Sequence, residues 1–123
     1  MRKQMLAVFL GLSATSACHA DMTRTWAMSG SDLALALEGK MPTQFHEGEA
    51  QRQFSSAYGQ AYILGVADDT RGKRWCSSTG ILPHEMADRV HTYLSGLSTE
   101  QLRGNAASLV GEALQKELPC SQR

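Results

Sequence analysis

The chain has 123 residues, 42% of them hydrophobic, with 12 Lys plus Arg against 12 Asp plus Glu. That length suits one domain whose core alone gives a modest margin of stability. The balanced charge argues against a nucleic-acid partner, because a groove for phosphates needs a dense basic face.

Residues 1–20 read as a secretory signal peptide. Arg2 and Lys3 charge the start, Met5 to Leu12 is a short apolar core, and small residues lead to Cys18-His19-Ala20 before Asp21. The stretch is too short to span a membrane. Thr15-Ser16-Ala17-Cys18 offers a second route, a lipobox in which Cys18 is lipidated. Thr15 stands where such a box favours leucine, so cleavage near Ala20 fits better. Either route delivers the same body, residues 21–123, as one domain with ten cations against twelve carboxylates once Arg2 and Lys3 are gone.

Without Cys18 the remaining cysteines are Cys76 and Cys120, an even pair in an exported chain. A bond between them closes a loop of about 45 residues, worth on the order of 4 kcal/mol in the chain-entropy model. Two free thiols are the alternative.

Ser29-Gly30-Ser31-Asp32 ahead of Leu33 to Leu37 predicts an N-cap and a short helix ended by Gly39, with Pro42 beyond. The alternating leucines also suit a strand, but alanine favours helix. Glu47 to Val66 predicts a longer central helix with Ala50, Phe54, Ala57, Tyr58, Ala61, Leu64 and Gly65 on its apolar face. The opposite face, with Gln51, Ser55, Ser56, Gly59 and Gln60, meets either water or a closely packed backbone.

Asp68 to Gly80 holds turn formers, three basic residues, Trp75 and Cys76, and reads as an ordered loop. Pro83 opens a helix with the stripe Met86, Val90, Tyr93, Leu94 and Leu97. Ser98 with Gln101 forms a capping box, and Asn105 caps a last helix over Ala106, Leu109, Val110, Ala113, Leu114 and Leu118 that Pro119 stops. The expected fold is all-α: four or five helices around one core, with one disulfide linking the central loop to the C-terminus.

Several signatures taken together resemble the Rap/Tai family of type VI secretion amidase immunity proteins. They are Ala61 to Asp68 with its Gly65-Val66-Ala67-Asp68 ending, Trp75-Cys76, Val90 to Leu94, and Leu109-Val110 through Ala113-Leu114 to Pro119-Cys120. The likeness runs from Phe54 to Cys120, and the segment before Phe54 carries no signature to align. The resemblance implies a periplasmic, all-helical protein, often a homodimer; no cofactor is expected. Its role would be to bind a secreted peptidoglycan amidase and block the active site. By the family's motif Cys76 and Cys120 match the paired cysteines, and Trp75 the aromatic before the first of them. Some relatives carry further cysteines that this chain lacks, and some occur without a toxin neighbour.

Other constellations compete with that reading. His84-Glu85-Met86-Ala87-Asp88 with His91 approximates a zinc-peptidase helix, but His84, Asp88 and His91 share a face opposite the apolar stripe. A catalytic metal needs a partly dry cavity, so a solvated face is the preferred reading and no metal site is assigned. Gly96-Leu97-Ser98-Thr99-Glu100 lacks the second glycine of a nucleophile elbow. Asp68-Asp69 lacks the ligand pattern of a calcium loop, and a salt link to Arg71 or Arg74 accounts for it better.

Arg71, Lys73, Arg74 and Trp75 form the candidate partner-binding surface, since Arg and Trp often anchor interfaces. In the alternative, Trp75 covers the disulfide and its neighbours stay hydrated. Tyr62 and Ile63 suit either a second core face or a dimer seam. The expected protein is a non-enzymatic binding module; a periplasmic chaperone or envelope accessory protein is the alternative, and a metal hydrolase is a further rival.

Overall fold

Local cap chemistry sets where each helix begins. The computed structural model describes residues 27–44 and 48–121, so residues 1–20, expected to be a signal peptide, and Cys18 within them lie outside the described residues. Five helices follow in order: α1 Gly30–Leu37, α2 Glu49–Thr70, α3 Pro83–Ser95, α4 Thr99–Leu102 and α5 Ala106–Glu117. There is no strand among the described residues. The expected all-α bundle with a Cys76–Cys120 disulfide is thus the one that forms.

At α1, Ser29 Oγ accepts from the Asp32 N–H, and the Asp32 carboxylate accepts from the Ser29 N–H. This reciprocal pair satisfies donors that a helix start leaves open. Gly39 ends the helix at φ 76°, a left-handed conformation that favours glycine. Ser98 and Gln101 form the same box at α4, Asn105 caps α5, and Pro83 stands in the first turn of α3.

The core lies where α2 meets α1, α3 and α5. Leu33, Ile63, Val90, Leu94, Val110 and Leu114 are wholly buried in it. Ile63 is therefore core, and Tyr62 packs beside it half-buried. The segment ahead of α1 is tied down as well, by Gly30 N–H donating to Gly104 O at 3.0 Å and Ala106 N–H to Met28 O at 2.8 Å.

The central helix is longer at its C-terminal end than expected, and it is turned the other way. Ser55, Gly59, Ile63 and Ala67 face inward. Phe54 and Tyr58, expected in the core, are 43% and 47% exposed. The reason is the close approach of α1. Ser55 Oγ donates to Ala36 O at 2.9 Å and accepts from Met41 N–H at 3.0 Å, so its burial leaves no polar group open. A Cβ at position 59 would sit 3.0 Å from Leu37 Cδ2 and 3.2 Å from Leu37 N. The small face permits that approach and the bulky one does not.

Candidate partner-binding site

The loop leaving α2 is built from the last turn of the helix. Thr70 Oγ1 donates back to Val66 O at 2.7 Å, while Lys73 and Arg74 N–H both donate to Thr70 O. Gly72, at φ 73°, turns the chain so that its N–H reaches Trp75 O at 2.8 Å. Trp75 is the anchor. Only 3% exposed, it packs into the main core and donates from Nε1 to Ala67 O at 2.9 Å.

The three basic residues then take different seats. The Arg71 guanidinium lies 6.0 Å from the Trp75 ring centroid, within cation–π range, with its side chain facing solvent. Lys73 Nζ donates to Asp69 O at 2.9 Å and lies 3.8 Å from the Asp69 carboxylate. Arg74 crosses to α5, where it lies against Gly111 and donates to Gln115 Oε1 at 3.4 Å. A Cβ on Gly111 would overlap that guanidinium, so the glycine makes room for it. The expected salt link from the aspartates to Arg71 or Arg74 is not made, because Arg71 is drawn to the indole and Arg74 to α5. Asp69 pairs with Lys73 instead.

Behind the loop, Cys76 N–H donates to Leu118 O at 2.9 Å, and Cys76 is bonded to Cys120 across a sequence separation of 44. The loop is therefore fixed at both ends: by the α2 terminus through Trp75, and by the end of α5 through the disulfide. Between them a cleft of about 160 Å³ opens over Trp75, Met86 and Ile81, with Asp68 and Arg71 at its rim. Ligand pockets commonly run from about 300 to 1,000 Å³, so this cleft has room for one side chain rather than a whole small molecule.

The zinc-like motif does not assemble into a donor cluster. His84 and Asp88 are exposed, whereas His91, expected beside them in water, is half-buried against α1. Its Nε2 lies 3.6 Å from Glu38 Oε1, within ion-pair range if the ring is protonated but too long for a hydrogen bond. The Glu38 carboxyl titrates below its ordinary range chiefly because Lys40 donates to it at 2.7 Å. Among the described residues no group of three or more His, Cys, Asp or Glu side chains is placed to hold a metal ion. Nor is any helix among them long and apolar enough to cross a membrane.

Fold and site together define a small helical domain, clasped by one disulfide, that presents an anchored basic loop. The family model of Rap1a immunity proteins matches residues 29–120, three quarters of the chain, and the chain belongs to that family. Membership indicates an immunity protein directed against a secreted effector. The match begins at Ser29, so α1 and the first turn of α2, where no signature was legible, are part of the family domain. Among curated proteins none matches.

Proposed function

We propose that this chain is a periplasmic immunity protein of type VI secretion that binds a peptidoglycan amidase effector and occludes its active site. The match of residues 29–120 to Rap1a immunity proteins carries the reading. Export is supported by the signal-like residues 1–20, and the oxidised pair Cys76–Cys120 suits such a compartment. The protein acts stoichiometrically, by occupying the cleft of another enzyme.

The contact surface in this reading is the loop carrying Arg71, Lys73 and Arg74, with Trp75 as the buried support beneath them. Its backbone bonds, the indole anchor and the disulfide order the loop before any partner arrives, so binding loses less conformational entropy. Arginine also supplies planar donors for carboxylates and carbonyls.

The test is co-purification with an amidase encoded beside this gene, followed by peptidoglycan cleavage at increasing amounts of the chain. Inhibition should saturate at one chain per amidase. Arg71→Glu with Lys73→Glu should weaken the complex about tenfold or more, the usual scale of an interface anchor, while thermal unfolding is unchanged. Absence of both complex and inhibition would overturn the effector reading. Undiminished binding by the double variant would remove the loop from it.

A further inference from the structure

Four side chains, Leu64, Trp75, Ile81 and Met86, give the cleft beside the basic loop an apolar floor. Trp75 and Met86 are only 3% and 4% exposed, so little water reaches them. Leu82, the neighbour of Ile81 in the chain, is 56% exposed and adds apolar surface outside the cleft. Asp68 and Arg71 stand at the mouth. An apolar centre inside a polar rim is the anatomy of a protein interface.

Volume and charge select what enters. An apolar cavity of about 150 Å³ takes a benzene molecule, and this cleft offers about 160 Å³. The mouth carries one carboxylate and one guanidinium, so a charged side chain of either sign meets a like charge there. Three of the walls then distinguish a ring from a branched aliphatic group. Trp75 offers an indole for an edge-to-face contact. Met86 offers a thioether, which is attracted to aromatic rings. Arg71 offers a guanidinium, which binds the face of a ring. Arg71 is also available, since it forms no ion pair among the described residues and stands 6.0 Å from the Trp75 centroid, at the outer limit of cation–π range.

We infer that the cleft receives one aromatic side chain, of phenylalanine size, from the protein partner. The inference rests on the immunity reading for the partner being an effector, and on the cleft alone for the ring. The contact is then two-sided: the basic loop reaches outward while the cleft behind it takes one side chain in. An aromatic anchor seated in a desolvated pocket is where binding energy concentrates.

Two-dimensional NMR of the oxidised chain, titrated with N-acetylphenylalanine amide and separately with N-acetylleucine amide, reads the cleft directly. The Trp75 indole N–H and the Met86 methyl should shift with the phenylalanine probe at millimolar concentration, and the leucine probe should bind several-fold more weakly. Arg71→Gln should remove roughly a two- to fivefold share of that preference, the scale of an exposed cation–π contact. Ser77 also lines the cleft, so Ser77→Phe sets a ring of the chain's own there. It should abolish the shifts and weaken the effector complex about tenfold or more, with thermal unfolding unchanged. Equal shifts with the two amides, or none at Trp75 and Met86, overturn the inference, as does a preference that survives Arg71→Gln whole. So does an effector complex undiminished by Ser77→Phe, a result that leaves the immunity reading standing. Failure of the immunity reading looks different: the parent chain forms no effector complex, while the preference for the phenylalanine probe and its dependence on Arg71 persist and keep the cleft a receptor for a ring.

Discussion

Replacing each of two glycines in α2 by alanine should move stability in opposite directions. Both gain roughly 1 kcal/mol of intrinsic helix propensity. At Gly65 the new methyl group enters open space, so that gain survives nearly whole. At Gly59 the methyl meets Leu37 N at 3.2 Å and Ala36 Cβ at 3.3 Å, and the first of these is backbone. Backbone cannot rotate aside, so α1 must back away and lengthen the two bonds of Ser55 to Ala36 and Met41. Overpacking of this kind costs about 1 to 3 kcal/mol, which leaves a net loss of up to about 2 kcal/mol after the propensity gain. For a domain of this size 1 kcal/mol corresponds to roughly 4 to 8 °C in melting temperature. Scanning calorimetry separates the two cases. Gly65→Ala should melt higher than the parent and Gly59→Ala lower. If Gly59→Ala melts as high as Gly65→Ala, the close approach of α1 to α2 is wrong.

Reduction of Cys76–Cys120, or Cys120→Ser, should lower unfolding free energy by about 4 kcal/mol on loop entropy; urea titration with and without reductant checks this, and coincident midpoints would contradict it. Ser55→Ala leaves the Ala36 carbonyl and the Met41 N–H without their buried partner, at a cost of about 1 to 3 kcal/mol, readable as a lower urea midpoint with unchanged slope. Burial, and then its bond to Glu112 at 3.0 Å, raise the titration of Tyr93 above the ordinary 10.0. A raised acid stabilises the fold below its unfolded value, and the benefit is lost as pH rises through the folded value. An ultraviolet titration should therefore find Tyr93 ionising after exposed tyrosine, and Tyr93→Phe should flatten that alkaline loss of stability. For Glu38 the sign is reversed. Its lowered carboxyl stabilises above the ordinary 4.5 and fails as acid protonates it, so Lys40→Ala should soften the acid limb of the stability profile.

Helix boundaries were legible wherever they depend on adjacent side chains. The cap at Ser29, the box at Ser98, the cap at Asn105, the proline at 83 and the stop at Gly39 involve residues no more than a few positions apart, and each stands as read; the reciprocal bond that makes Ser29 a box as well was not read. The two cysteines were legible by count. The orientation of α2 was not, because periodicity assumes that the bulkier face is buried. Here the neighbour α1 requires Ser55 and Gly59, and the hydrogen bonds that make a buried serine tolerable span 14 and 19 residues. The basic loop was legible as a composition and not as a geometry. Arg74 is seated by Gly111, 37 positions away in a different helix, and the sequence offers no local sign that one glycine leaves room for that guanidinium.

The sulfur bridge divides the molecule unequally. It joins residues 76 and 120, so α3, α4 and α5 lie inside one covalent circle while α1 and α2 lie outside it. The outer pair docks by packing and hydrogen bonds alone, and the basic turn leaves α2 at the point where the circle closes. Heating or pulling on the N-terminal end can strip α1 away while the enclosed helices stay tethered to one another. The closed circle thereby keeps a template on which the loose end can re-form.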